Sequence, residues 1–220
     1  MEQSELNLVL EEHTKWLEDT STGKRADLSG ANLSGAYLRY ANLSKANLVD
    51  VNLSEANLRY ANLSKVNLRD ADLRYTNLRD ANLTHADLRY ANLTRANLSS
   101  VNLSGAYLEN ANLSSVNFSE AYLENANLSR ANLRDAYLID TNLRGANLRD
   151  AVGNGREIKT LQNEFYTVVY TSTQMAIGCE QHAITDWFKF DDKRIKAMDE
   201  RATEFWTIYK PILQLLIKEA

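Results

Sequence analysis

Cys179, His182 and Asp186 lie close together in the sequence, and their side chains could support a reaction or bind a metal ion. A thiolate beside a histidine can act as a nucleophile, and both residue types are zinc ligands. A structural zinc site needs four ligands, however, and the chain has a single cysteine and only three histidines. A small buried thiol next to a histidine usually reflects packing. We therefore expect no catalytic residues, no metal site and no cofactor.

The composition of the chain narrows its class further. The 220 residues carry a formal net charge of -4 and one cysteine, which excludes an intrachain disulfide. The sequence shows no long apolar run and no basic segment followed by an apolar one, so we expect neither a membrane span nor a signal peptide. The glycines of SGANLSGA lack the lysine of a phosphate-binding loop. These features predict a cytoplasmic protein without an enzymatic site.

Beyond these residues, the dominant pattern is a leucine or phenylalanine at every fifth position from Leu28 to Leu148. Five residues advance a helix by about 500°, so these side chains would spread around its whole surface. In a flat strand, a spacing of five would send alternate leucines to opposite faces. Neither a long helix nor a continuous strand fits. The chain must instead run as short extended pieces separated by corners.

The residue types at the other positions of the repeat support such a coil. The unit is A-[ND]-L-x-x, and its two variable positions carry mostly polar and charged residues. The alanine and leucine positions carry no charge, as expected of side chains that point inward. A narrow coil has room for only one large side chain per unit, because close packing penalises overfilling. The sequence thus predicts a rigid rod with a dry interior.

Uninterrupted A-[ND]-L-x-x units over residues 26–151 resemble the pentapeptide-repeat family. The resemblance implies a mainly β fold, a right-handed four-sided parallel β-helix in which four repeat units make one coil. It extends to both ends, where HTKWLEDTSTGKRADLSGANL and IGCEQHAITDW are similar to the ends of pentapeptide-repeat proteins of bacteria and bacteriophages. These flanks suggest a lineage and no activity.

The ends of a β-helix expose unpaired backbone and need covers. We predict three domains: an N-terminal capping helix and linker (1–25), the β-helix (26–151) and a small C-terminal α+β cap (152–220). In the first, apolar residues recur at helical spacing, and Ser4 is the expected N-cap. In the last, YTVVYTSTQMAIGCEQH predicts two strands around a turn. A helix capped at Asp191 or Asp192 should follow, with a break before Pro211.

If four repeat units make one coil, side chains separated by four whole units stack into ladders. Arg39, Arg59 and Arg79 have this spacing, as do Tyr40 with Tyr60 and Lys45 with Lys65. Arginine and tyrosine are frequent at binding surfaces. The alternative is an ordinary solvated surface, since exposed arginine is common. Our candidate binding surface is Arg39, Tyr40, Arg59, Tyr60 and Arg79.

Two functions follow as hypotheses. The first is a non-catalytic rigid scaffold that binds an unidentified protein partner, with self-association through the caps as a second mode. The alternative is a modulator of a DNA enzyme such as DNA gyrase, because the resemblance includes family members whose rods imitate duplex DNA. Mimicry needs a negative surface, whereas residues 26–151 contain 13 basic and 13 acidic residues. Glu109, Glu120 and Glu124 form the candidate acidic patch for this alternative. We expect no direct binding of nucleic acid and no membrane contact.

Overall fold

The fold is described by a computed structural model, which covers residues 1–154, 158–162, 165–171, 173–178 and 180–218. Helix α1 (Gln3–Glu18) precedes the repeats. Four short strands and three helices follow them: β1 (Lys159–Gln162), β2 (Thr167–Tyr170), β3 (Gln174–Ile177), β4 (Glu180–Ala183), α2 (Ile184–Trp187), α3 (Asp192–Lys196) and α4 (Ala202–Lys218).

The repeats wind into a coil that closes after every fourth unit. Parallel bridges join each central Asn, Asp or Tyr to its equivalent four repeats later, from Asp27 with Asn47 to Asn132 with Val152. Four pentapeptides therefore complete one turn, which confirms the four-sided coil. We number the faces by their first leucine: face 1 holds Leu28, face 2 Leu33, face 3 Leu38 and face 4 Leu43. A corner is named by the two faces that it joins.

Each corner consists of the two residues that follow the central leucine. The second of these has a positive φ in every repeat, from residue 30 to residue 150. The N–H of the next alanine bonds the leucine carbonyl, as from Ala91 to Leu88 at 3.1 Å, which is the pattern of a type II turn. Most of these residues are not glycine, and the left-handed conformation costs each of them about 1 kcal/mol. The stacked coils must supply this energy.

The Asn or Asp that precedes most of the leucines stabilises the corner. Its side-chain oxygen accepts a hydrogen bond from the N–H two residues later, as from Ser99 to Asn97 at 3.1 Å. This local bond explains why short polar side chains are preferred there. Inside the rod, most leucines and alanines are almost completely buried, and Phe118 has 0% of its surface exposed. Ala31, Ala36, Ala41 and Leu143, near the ends, are partly buried. Thr76, also buried, donates its hydroxyl to the Leu53 carbonyl at 2.8 Å, so its polar group is satisfied.

Helix α1 covers the first coil. Leu6 is buried in the rod's core, and Val9 and Leu10 pack against it. The predicted N-cap was wrong: the helix begins at Gln3, and Ser4 lies inside it. Glu2 is the N-cap, with its main-chain N–H donating to the Glu5 carboxylate at 3.1 Å. A carboxylate in the first turn bonds the exposed N–H groups and favours this earlier start.

His13 fastens α1 to the rod. Its ring is fully buried, Nδ1 accepts a hydrogen bond from the Ala26 N–H at 3.0 Å, and Nε2 lies 3.1 Å from the Ser44 carbonyl. Because Nδ1 accepts, the proton must be on Nε2, which donates to Ser44. Burial lowers the pKa of His13 below its ordinary value of 6.5, and the nearby Arg25 lowers it further, against the opposing effect of the Ser44 carbonyl.

We expect acid to destabilise this attachment. The unfolded chain binds a proton at His13 more readily than the folded chain does, so the free energy of unfolding falls as the pH drops through 6.5. The loss can reach about 1.4 kcal/mol per pH unit. Urea unfolding of the parent and of His13→Gln between neutral and mildly acidic pH measures it. The pH dependence of the free energy of unfolding should be smaller in His13→Gln than in the parent. It should be unchanged in His85→Gln, which replaces an exposed histidine. The same pH dependence in all three proteins would contradict a role for His13 in this loss of stability.

The C-terminal segment forms a four-stranded antiparallel sheet in the order β1-β2-β3-β4. The prediction of two strands around a turn was incomplete, because β1 and β4 flank the predicted pair. Ile158 and Val169 are buried in the rod's core cluster, which anchors the sheet on the last coil. The Gln181 amide nitrogen donates to the Ala146 carbonyl, and its oxygen lies 3.4 Å from the Leu148 nitrogen. One side chain thus replaces two backbone partners that a further coil would provide.

The C-terminal helices differ from the prediction. Asp191 is the N-cap of α3 as expected, and it accepts from the Arg194 N–H at 2.8 Å. The break falls between α3 and α4, however, and Pro211 lies inside α4. Pro211 is exposed, so water can bond the carbonyl that its missing N–H leaves free. None of the helices within the described ranges is long and apolar enough to cross a membrane.

Candidate protein-binding surface

The five candidate residues come together on the 3/4 corner of the rod. Arg39, Arg59 and Arg79 occupy its first position in successive coils, and Tyr40 and Tyr60 occupy its second. We call this set the Arg-Tyr strip. Adjacent coils are about 4.8 Å apart, which places the side chains within contact of one another. The sequence ladder is therefore also a ladder in space.

The side chains of the strip hold one another in place. The rings of Tyr40 and Tyr60 are stacked, with centroids 5.0 Å apart and planes inclined by 9°. The Arg39 guanidinium lies 4.6 Å from the Tyr40 ring centroid and 5.4 Å from that of Tyr60. Arg39 and Arg59 also donate to the neighbouring tyrosine hydroxyls, at 2.9 and 3.0 Å. Tyr40 nevertheless keeps 64% of its surface exposed and Tyr60 39%.

Asp80 closes the strip and was missed in the sequence. It occupies the same corner position as Tyr60 in the next coil, so the ladder spacing could have identified it. Its carboxylate lies 3.3 Å from Arg79 Nε and 3.8 Å from Arg59 Nη2. Arg59 Nε is buried and has no hydrogen-bond partner in the described part of the chain. A buried donor without an acceptor lowers stability, and it is not accessible to a partner.

A second basic ladder lies on the 4/1 corner. Lys45, Lys65 and His85 occupy the same corner position in successive coils, and all are exposed. Arg25, also exposed, precedes Lys45 by one coil, and its Nε donates to the Lys45 carbonyl at 2.7 Å. We call these four residues the basic column. The sequence indicated only the pairing of Lys45 with Lys65, because Arg25 lies outside the regular repeat.

The structure does not bring the three candidate acidic residues together. Glu109 lies on the 1/2 corner, Glu120 on the 3/4 corner and Glu124 on the 4/1 corner. Glu109 accepts from the Asn127 amide at 2.7 Å, and Glu124 lies 3.6 Å from Arg144. Closeness in the sequence misleads here, because only positions separated by whole coils return to the same corner. The acidic patch was therefore wrong as a single surface.

Two of the three residues that could have supported chemistry, His182 and Asp186, contact other side chains. His182 Nε2 lies 2.8 Å from the Glu180 carboxylate, and its ring packs edge-on against Trp187 and Phe190. Asp186 instead lies 3.4 Å from Lys189. Cys179 is outside the described residues. Among the residues that are described, no group of His, Cys, Asp and Glu could hold a metal ion.

Comparison with solved structures returns other repeat proteins at low similarity. Full-length QnrB1, a plasmid-mediated fluoroquinolone resistance protein, is 15% identical over 58% of this chain and 70% of its own, with a TM-score of 0.33. HetL, involved in heterocyst differentiation regulation in the cyanobacterium Nostoc sp. strain PCC 7120, is 29% identical over 60% and 80%, with a TM-score of 0.22. A protein from the Arabidopsis thaliana thylakoid lumen is 30% identical over 52% and 70%, with a TM-score of 0.25. These scores support no inference about function.

The family is identified from the repeats in the sequence. No curated protein matches the chain at a significant level. A family model described as pentapeptide repeats matches eight copies, over residues 24–54, 52–89, 76–114 and 116–152. These matches span more than half of the chain and coincide with the four-sided coil. The fold of the family is a right-handed quadrilateral β-helix. The chain belongs to the pentapeptide-repeat family.

Proposed function

We propose that this chain is a non-catalytic scaffold that binds a protein partner through the Arg-Tyr strip. The observation that carries the proposal is that contacts within the chain itself order the side chains of the strip. Tyr40 and Tyr60 are stacked, and Arg39 and Arg59 are hydrogen bonded to them, yet the two rings remain exposed. The role includes no reaction and no cofactor.

Pre-ordered side chains favour binding because their entropy has already been lost on folding. Immobilising a flexible side chain at an interface costs about 0.5 to 1.5 kcal/mol. The arginines of the strip are held by tyrosine rings and by Asp80, so this cost is reduced. Tyrosine and arginine are also the residues that most often dominate interface energies. A rigid lattice with this composition suits a docking surface for another protein.

Mimicry of DNA, directed at an enzyme such as DNA gyrase, is the weaker proposal. It requires a continuous negative surface, but the candidate glutamates occupy three corners, and all three contact neighbouring side chains, Glu120 through the Ser100 hydroxyl at 3.3 Å. The 3/4 corner is instead positive in its first coils. The positively charged DNA-binding groove of such an enzyme would repel this corner.

An affinity-capture experiment from host extract tests the scaffold. The strip variant replaces all five residues of the Arg-Tyr strip by serine, which the same corner carries naturally at Ser99, Ser100 and Ser119. A matched control, Tyr75→Ser with Arg95→Ser and Arg134→Ser, removes the same residue types from the 2/3 corner. We expect the parent and the control to retain the same partner and the strip variant to lose it. Equal recovery on all three would contradict the proposal.

A further inference from the structure

The Arg-Tyr strip and the basic column border the same side of the rod. Face 4 runs between the 3/4 and 4/1 corners, so in the first three coils it is bordered by two parallel rows of cations. They are Arg39, Arg59 and Arg79 on one side and Arg25, Lys45 and Lys65 on the other. Asp80 is the only carboxylate on these two rows before Glu120. The protein as a whole has a charge of -4, so this concentration of positive charge is local.

The surface between the two rows presents hydrogen-bond donors. The side-chain oxygens of Asn42 and Asn62 accept from the N–H groups of Ser44 and Ser64 at 3.2 and 3.1 Å, and the oxygen of Asn62 also lies 3.5 Å from the amide nitrogen of Asn82. The amide nitrogens of Asn42 and Asn62 make no hydrogen bond within the described residues and are free to donate outward. Amide donors between rows of guanidinium and ammonium groups form a surface complementary to carboxylates or other oxyanions.

The positive surface is short. Each row spans two steps of about 4.8 Å, or roughly 10 Å, between its first and last Arg or Lys. Further along the same corners come the neutral Ser99, Ser100 and Gly105, and then Glu120, Glu124 and Asp140. Of these three, Glu124 lies 3.6 Å from Arg144. A long polyanion laid along face 4 would meet like charges in the distal coils, whereas a short acidic segment would not.

The tyrosines favour a protein over a nucleic acid. Unpaired bases bind by stacking on open aromatic faces. Here Tyr40 and Tyr60 already stack on each other, and Arg39 and Arg59 lie over their rings. The hydroxyl and guanidinium edges remain available for carboxylates.

From these observations we infer that the first three coils of face 4 dock a short acidic segment of the partner protein. Its carboxylates pair with the two rows of cations and with the asparagine amides between them. The inference rests on the proposed scaffold function and specifies the chemistry of its partner. The acidic residues of the distal coils set the limit of the site and reject extended polyanions by repulsion.

A labelled oligoglutamate peptide provides the probe, with binding followed by fluorescence anisotropy at several salt concentrations. We expect the full-length parent to bind it with an affinity that falls as salt rises. In the double variant Lys45→Glu with Lys65→Glu, binding should weaken at least about tenfold, since close opposite charges become like charges. Glutamate is tolerated at this corner position, as Glu55 and Glu120 show, so the variant should fold.

The control changes the same net charge elsewhere. Arg95→Glu with Arg134→Glu alters the 2/3 corner and should leave the affinity within about twofold, because charges more than a Debye length away are screened. Equal losses in both variants would show that only net charge matters, which would overturn the inference. The inference would also be overturned if the parent did not bind the peptide, or if a short DNA duplex bound more tightly at the same site. Self-association of the parent, seen by sedimentation and abolished in Lys45→Glu with Lys65→Glu, would identify a second copy as the occupant instead.

The two proposals can fail separately. If the strip variant loses its captured partner but the parent does not bind oligoglutamate, the scaffold stands and the acidic segment is wrong. If parent and strip variant capture the same proteins equally, the scaffold itself is wrong, whatever the peptide does.

Discussion

Leu88→Asp is expected to unfold the central part of the rod. Leu88 has no exposed surface, and the leucines of the neighbouring coils, Leu68 and Leu108, are equally buried. The substitution removes a leucine whose burial contributes roughly 1.5 to 3 kcal/mol. It also places a carboxyl group in an interior formed almost entirely by apolar side chains, at a cost of several kcal/mol more. The sum is comparable to the whole stability of a typical domain.

Thermal melting followed by circular dichroism measures this effect. Tyr90→Asp is the control, because it introduces the same residue in the same repeat at an exposed corner position. Asp50 and Asp70 occupy that position in the two preceding coils, with the same positive φ. We expect Tyr90→Asp to melt close to the parent and Leu88→Asp to be unfolded or to melt far below it. If Leu88→Asp melts like the parent, the leucines cannot form the interior.

Removal of everything after Asn154 is the second change with a large expected effect. The truncated chain loses Ile158 and Val169, which are buried against the last coil, and the amide of Gln181, which bonds its backbone. Backbone groups and leucines at the end of the β-helix then become an open edge, which favours association with other copies. We expect soluble aggregates or insoluble protein.

Size-exclusion chromatography with light scattering distinguishes the outcomes. Full-length Gln181→Ala is the comparison, because it removes the two amide contacts and keeps the apolar cover. We expect it to remain soluble and to be destabilised by about 1 to 3 kcal/mol, the cost of leaving buried polar groups unsatisfied. A truncated chain that elutes as a clean, stable monomer would show that the C-terminal segment is a separate module and does not protect the rod. The prediction that residues 152–220 form a cap would then be wrong.

The interior of the rod could be predicted from the sequence because it depends on a local rule. A period of five with alanine and leucine two positions apart excludes both regular alternatives, so the chain must coil. The number of sides does not follow from this rule, since a five-residue unit could close with other numbers of faces. The four-sided coil came from the resemblance and was confirmed by the bridges between equivalent positions four repeats apart. Once that period was assumed, Arg39, Arg59 and Arg79 could be placed on one corner.

The parts that could not be predicted depend on contacts across the fold. Glu109, Glu120 and Glu124 are neighbours in the sequence, but the coil distributes them over three corners. Arg25 lies outside the regular repeat, so its place in the basic column emerged only from its bond to Lys45. Pro211 was expected to break a helix, yet the break occurs earlier. There the Asp199 carboxylate accepts the Arg201 N–H at 2.8 Å, just before α4 begins.

The most direct test of the scaffold is the affinity of the captured partner, once purified, for three forms of this chain. The forms are the parent, the strip variant and the 2/3 corner control, each first shown by circular dichroism to melt normally. We expect the control to bind like the parent and the strip variant to bind at least about a hundredfold more weakly, because several interface anchors of about 1 to 2 kcal/mol each are removed. Equal affinities for the parent and the strip variant would contradict the proposal and would place the binding surface elsewhere on the rod or on its caps.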